Sequence, residues 1–423
     1  MSTALVVETR EIDPVDDLLS YADPDRPLVW LRRGEGIVAA GSAVRRTIRV
    51  TATPAGIRAP ELSRAWDALV ADARIDDPVQ LPGTGLVGFS ALVFDDASAA
   101  DSVIVVPAEI IGRHGGHTWR TTVREEGAPA LPPAAPLPYG PHWSGTLGPG
   151  AQSPQGYQDA VRAALAGIAA GAYGKVVLAR DLVGSVPAGS DLRRLVRALG
   201  TDYPDTWTFA VDGLVGASPE TLVTAQRGAV TARVLAGTAP RGADTATDAR
   251  AAADLAASAK DRDEHAFAVR SVVAALAPHT RALDADGGPF VLELPNLFHL
   301  ATDVRGERGD SASALDLAAA LHPTAAVAGT PTPAAVAAIR GLEPFDRGRY
   351  AGPVGWIDAG GDGEWAIALR CAQFGGLRPD AVPAGAAIPV TAYAGAGIVA
   401  GSDPESELRE TRVKFRPIVD ALA

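Results

Sequence analysis

The sequence predicts an α+β protein built on large antiparallel β-sheets. Three observations carry the prediction. Short strand-like runs follow one another across glycine turns, as in WTFAVDG, LVGASPETLVTAQ and AVTARVLAG. Helical segments fall between such runs and not after every strand. No regular βαβ alternation and no internal repeat is found along the 423 residues.

The elements follow in order. Residues 1–126 hold the β-like runs LVWLRR, TIRVTA, GLVGFSALVF and SVIVVPAEII, interrupted by a helix-like patch, ELSRAWDALVADAR. This stretch has no clustered ionisable motif and reads as a β-rich packing region. Residues 127–152 are dominated by proline and glycine without periodicity, which predicts an extended connector. Residues 153–423 open on a helix. Ser153 is its cap, Pro154 suits its first turn, and Tyr157, Val161, Leu165 and Ile168 repeat at helical spacing. KVVLARDLV reads as a strand and SDLRRLVRAL as a helix, before the three strands named above. A helix is expected from about Asp248 to Leu276, then an extended segment, FVLELPNLFHLATDVRG. Short helices are expected around 312–321 and 333–341, then the strands YAGPVGWID, EWAIALRCAQF and VTAYAGAGIVAG. The last helix runs from about Glu405 to Leu422. Its apolar face is read as Leu408, Phe415, Val419 and Leu422, with Glu407, Glu410 and Lys414 in a separate stripe.

Hydrophobic residues make up 47% and charged residues 21%, enough apolar material for a sizeable core. The formal charge of -12 argues against nucleic acid, which wants a basic face. It leaves room for an anionic substrate, because a site can be locally positive in an acidic protein. The single cysteine, Cys371, excludes an intramolecular disulfide and a CxxC zinc site. The start, MSTALVVETREIDP, does not read as a signal peptide, and no apolar run is long enough to span a membrane. A cytoplasmic protein is expected.

Several familiar motifs fail. GAGIVAG, residues 395–401, has the wrong spacing for a dinucleotide loop. YGKVV lacks the Ser or Thr of a phosphate loop. The seven histidines show no metal-ligand spacing, so a metal here would be a hard ion held by carboxylates.

Four constellations remain. Lys175 stands at the mouth of an apolar strand. Such a lysine reaches solvent, unless the strand is buried and desolvation makes the amine a general base. Glu220 follows Ser218-Pro219 in a turn between two apolar strands. It is either a solvated turn carboxylate or a general acid on stiff backbone. Asp261 and Glu264 share a helix face and either hold a divalent cation or pair with neighbouring cations. His265 beside them reads as a structural histidine. The Glu407/Glu410/Lys414 stripe reads as a salt-bridge ladder or as part of a site, since it follows the glycine loop GAGIVAGSD. Bare backbone there can approach a carboxylate ligand, and Arg370 on the preceding strand can fork onto a second one.

Taken together, KVVLAR, ASPETLV, LAGTAPRG, SAKDRDEHAF, LPNLFHLAT, LHPTAAVAGTP, FDRGRYAGPVGW, IALRCA and YAGAGIVAGSDPESELRETRVK resemble the chorismate-utilising enzymes in order and spacing. The resemblance covers about residues 154–416 and is strongest to the isochorismate synthases. It implies an α+β fold with large antiparallel sheets around a deep cleft. It also implies a Mg²⁺-dependent isomerase that moves a hydroxyl from C4 to C2 of chorismate. By position it makes Lys175 the base that activates water and Glu220 the acid that protonates the departing hydroxyl. Glu264 and Glu410 become the Mg²⁺ ligands, with Asp261 and Glu407 nearby. Gly237, Thr238, His299, Tyr350, Arg370, Gly395, Gly397 and Lys414 become cleft residues.

Relatives that use ammonia lack a lysine at the position of Lys175, so the resemblance selects water and implies no glutamine amidotransferase subunit. It also implies a monomer. Salicylate synthases share the lysine and go on to eliminate pyruvate. Their residue facing the enolpyruvyl group tends to be larger or more polar than Ala325-Ala326, which favours isochorismate as the final product. A non-catalytic anion-binding relative would have lost one of Lys175, Glu220, Glu264 or Glu410, and none is lost. Menaquinone, catechol siderophore and salicylate pathways all remain open as consumers.

Overall fold

Alternating burial along the strands builds two sheets with a shared interior. In the computed structural model, residues 3–51, 58–285, 287–294, 297–376 and 385–423 are described. Among them one sheet has 13 strands and the other 10. The named ladders are antiparallel except for one edge pair, Leu5–Glu11 with Arg74–Asp76. Successive residues of a strand point to opposite faces. Phe209 and Val211 therefore enter the large core between the sheets, while Ala210 joins a second core under the helices. The second core is filled by Leu195 and Leu199 of the helix Arg193–Asp202, and by Phe415 and Ile418 of the helix Pro404–Leu422. Each such buried aliphatic or aromatic side chain contributes roughly 1.5–3 kcal/mol of transfer free energy.

Strands from residues 1–126 extend both sheets. Leu5–Glu11, Val29–Arg32 and Glu35–Ala39 belong to the larger, and Val44–Val50, Val87–Ala91 and Ser102–Pro107 to the smaller. Trp30, Phe89 and Trp119 lie in the same core as Leu178 and Val223. The connector is pinned by a buried pair, Asp191 and Arg193. Asp191 accepts from Gly140 N, and Arg193 donates to the carbonyls of Leu137 and Pro138. Its last residues are not irregular. Thr146–Pro149 pairs with the edge of the strand Lys175–Val186, where a terminal proline removes no needed ladder bond.

Most predicted elements stand, with corrections in the second half of the chain. The helix expected from Asp248 to Leu276 is two, Thr245–Ala257 and Ala259–Leu276. Ser258 turns extended between them, and its side chain accepts from Asp261 N to cap the second. EWAIALRCAQF is not one strand. Gly363–Ile367 lies in the smaller sheet and Cys371–Phe374 in the larger, so Arg370 sits on the crossover and not on a strand. VTAYAGAGIVAG is a strand as expected but ends at Ile398, so the glycine loop begins only after it and Gly395 and Gly397 stand on the strand Ile388–Ile398. On the last helix Val419 is 39% exposed, and Thr411 and Ile418 are buried instead. The buried face is centred between Thr411 and Phe415, rotated toward the Glu407/Glu410/Lys414 stripe. That rotation brings the stripe to the cleft.

Candidate active site

The two sheets part to leave a cavity of about 780 Å³. Lys175 enters it from the start of the strand Lys175–Val186, beside the neighbouring strand Ile388–Ile398. Val177 pairs with Gly397, and a Cβ at Gly397 would lie 3.1 Å from Lys175 Cε. The bare glycine leaves the lysine chain room to cross the neighbouring strand. Lys175 Nζ donates to Glu264 Oε1 at 2.8 Å, with side-chain exposures of 21% and 31%. Lys175 is thus neither a solvated strand-end lysine nor a lone amine in apolar surroundings. It is a partly buried amine held on a carboxylate.

Glu220 and Arg370 share a structural device. The chain leaves the larger sheet at Ser218 and enters the smaller at Thr221, and it makes the reverse crossing between Ile367 and Cys371. The two crossings run side by side. Ile367 N donates to Glu220 O, and Ala217 N donates to Arg370 O. Ser218 Oγ donates to Ile367 O and accepts from Glu220 N. Arg370 takes a left-handed φ of 49°, a conformation that non-glycine residues hold only when their surroundings impose it. Burial pushes the Glu220 carboxyl up to about 7, against the pull of Lys414, Lys175 and Arg370. Burial also lowers the Arg370 and Lys414 pKa values from their usual ranges.

The smaller sheet supplies Gly237 and His299. His299 Nδ1 donates to Gly237 O at 3.3 Å, and burial lowers the imidazole to about 4, so it stays neutral at physiological pH. Gly237 has a φ of 80°, and a Cβ there would press within 3.2 Å of Asp261 Cβ. Thr238 pairs with His299 in the ladder, but its side chain lies outside the described residues. Tyr350 lines the cavity with its ring stacked 5.1 Å from Tyr393, and burial raises its hydroxyl pKa. His265 is a satisfied structural histidine, between Thr302 Oγ1 and Ala236 O.

The helix Pro404–Leu422 brings the charged stripe. Lys414 Nζ donates to Gly395 O at 2.8 Å and pairs with Glu410 at 2.6 Å. Burial raises the Glu407 carboxyl, while Ser402 hydrogen-bonds to it and lowers it. Asp261, Glu264, Glu407 and Glu410 all line the cavity. They arrive as two pairs from two helices, because each helix places acids only three apart on one face. Among the described residues no three acidic, histidine or cysteine side chains form a group that could hold a metal ion. The four acids therefore do not make a single cage. The donor set fits a hard ion that keeps waters and takes one or two carboxylates plus oxygens of a ligand, as Mg²⁺ does.

Arg347, which none of the four sequence constellations includes, also lines the cavity. It donates to Glu343 through Nε and Nη2, to Val327 O and to Val177 O, and Glu343 also accepts from Ala179 N. This buried pair fixes the strand that carries Lys175. Its only signal in the sequence is a glutamate four residues before an arginine. Glu343→Ala strands the buried guanidinium and is expected to cost about 3–5 kcal/mol. Thermal or denaturant unfolding measures it, and a loss below about 1 kcal/mol would contradict the bracing role.

Against this geometry, the profile of the chorismate binding enzymes matches residues 146–423. The chain belongs to that family. Isochorismate synthase DhbC of Bacillus subtilis is 42% identical over 281 residues, 64% of this chain and 68% of that protein. The salicylate biosynthesis isochorismate synthase of Pseudomonas aeruginosa is 32% identical over 453 residues, spanning 99% of this chain and 90% of that protein. The solved structure of the menaquinone-specific isochorismate synthase MenF of Escherichia coli has a TM-score of 0.76 at 24% identity, covering 99% and 95% of the two chains, and shows the family fold. Every described side chain or glycine that the resemblance assigned to this family's cleft lines the cavity. Among the described residues no helix is long and apolar enough to cross a membrane.

Proposed function

We propose that this chain is an isochorismate synthase that adds water at C2 of chorismate and expels the C4 hydroxyl. One observation carries the reading. An amine, Lys175, and a carboxyl held up to about 7, Glu220, enter one cavity from different elements, Lys175 on a paired strand and Glu220 on a crossing whose carbonyl accepts from Ile367 N. Lys175, as the neutral amine, takes a proton from the attacking water. Glu220 gives a proton to the C4 oxygen, since hydroxide is a poor leaving group. Arg370 and Lys414 neutralise the substrate's carboxylates, whose burial without cations would be prohibitive. Neutral His299 and Tyr350 orient the ring by hydrogen bonding. Mg²⁺, held through Glu264 and Glu410 with Asp261 and Glu407 close by, would supply a positive charge that neutralises substrate carboxylate. The enzyme works in the cytoplasm as a monomer, without an amidotransferase subunit. Its product enters menaquinone, siderophore or salicylate synthesis.

Chorismate and Mg²⁺ are incubated with the protein without ammonia, and products are separated by chromatography. Isochorismate without pyruvate is expected. Salicylate with pyruvate would move the assignment to salicylate synthase, and no turnover would reject both. Ala326 lines the cavity and adds no polar group near the substrate, which favours retention of the enolpyruvyl group. Glu264→Gln is expected to shift the Mg²⁺ titration of activity to higher concentration. An unchanged titration would remove Glu264 from the ligand set.

A further inference from the structure

Glu220 borders two cavities. Beside the cleft lies a second space of about 260 Å³, which shares Glu220, Leu235 and Ala326 with it as a common wall. The helix Ala259–Leu276 serves both in turn. Asp261 and Glu264 on its first turns reach the cleft, and Ala268, Ser271, Val272 and Ala275 continue the same stripe along the second cavity. Ser271 and Arg233, both exposed, stand among its lining residues, so the cavity opens toward solvent. Its remaining wall mixes alanines and larger aliphatic residues with Thr221, Thr324 and Thr332, and the buried Thr324 hydroxyl has no hydrogen-bond partner among the described residues. A space of this size with polar groups in its wall holds several waters at about 30 Å³ each.

The chemistry gives that space a task, on the reading that chorismate is isomerised here. The oxygen of one water forms a bond to C2, its proton goes to Lys175, and the two ring double bonds shift from C1=C2 and C5=C6 to C1=C6 and C4=C5. The C4–O bond breaks with its electron pair going to oxygen, which takes the proton of Glu220 and becomes a second water. One water enters and one leaves, and Glu220 ends the step ionised. Before the next turnover the new water must depart, Glu220 must regain a proton and Lys175 must give one up, and until the product leaves its ring fills the cleft beside Glu220.

We propose that the second cavity is a solvent conduit to Glu220, through which the water made from the C4 hydroxyl leaves and a proton returns. The cleft admits the substrate, and the conduit exchanges only water and protons.

Chorismate labelled with ¹⁸O in its C4 hydroxyl tests this, because the reaction is reversible. A labelled water that stays beside Glu220 can re-add at C4 and restore labelled chorismate, whereas one that escapes cannot. Label is measured in the chorismate recovered as the mixture approaches equilibrium, per isochorismate formed. Ser271→Phe, which fills the conduit, is expected to raise label retention several-fold with an unchanged KM. Ser271→Ala should match the unmodified enzyme. Ala275→Leu is the second narrowing variant should Ser271→Phe fail to fold. Label loss per turnover equal in the narrowed and unmodified enzymes would overturn the conduit while leaving the isomerase assignment intact. If the unmodified protein forms no isochorismate, the assignment itself falls and the conduit with it.

Discussion

Lys175→Ala is expected to lower kcat by about 10²–10⁴-fold, the range that a positioned general base contributes. Chorismate should still bind, because Arg370 and Lys414 lie on other elements and remain. Glu264 loses its partner but keeps 31% of its side chain exposed, so it is not stranded as a buried charge. A folding defect is therefore not the expected source of the loss. Isochorismate formation followed by chromatography, with binding measured separately by calorimetry, separates the two effects. Full activity in the variant would remove the base assignment. A large rise in Kd with unchanged kcat would make Lys175 a binding residue instead.

Glu220→Gln is expected to cost a similar factor, about 10²–10⁴-fold, because the amide keeps the shape but cannot protonate the leaving oxygen. The pH dependence gives a second and sharper reading. The Glu220 carboxyl is held up to about 7, so it is protonated below that pH and ionised above it. An acid works only while protonated. kcat/KM, which reports the free enzyme, should fall as pH rises through about 7. In Glu220→Gln that alkaline limb should vanish. The stability contribution has the same sign, since a carboxyl raised on folding favours the folded state at low pH and ceases to do so as pH rises through the folded value. An alkaline limb that persists in Glu220→Gln would belong to another group and would reject the acid assignment.

Local chemistry was open to reading from the sequence. Ser153 with Pro154 marked a helix start, and the structure has Ser153 accepting from Gly156 N there. The spacing of Asp261 and Glu264, and of Glu407, Glu410 and Lys414, put each group on one helix face. Ser218-Pro219 marked a turn that holds Glu220. Helical periodicity also named most of the last helix's buried residues. It erred at Val419, because an apolar wheel omits Thr411, and the buried Thr411 is what shows where the face is centred.

The sequence by itself determined which chemical groups this chain carries and which of them are neighbours within one turn or one strand. Caps, turns and helical stripes depend on atoms a few residues apart, so their spacing is written in the chain. Only the tertiary structure decided where those groups meet. Lys175 finds Glu264 across 89 residues, and Ala179 N finds Glu343 across 164. The crossings between sheets at Glu220 and Arg370 exist because two sheets share one core, and an apolar run such as WAIAL, residues 365–369, does not say where the chain will change sheet. Such pairings follow from packing a whole core at once, and no local spacing encodes them.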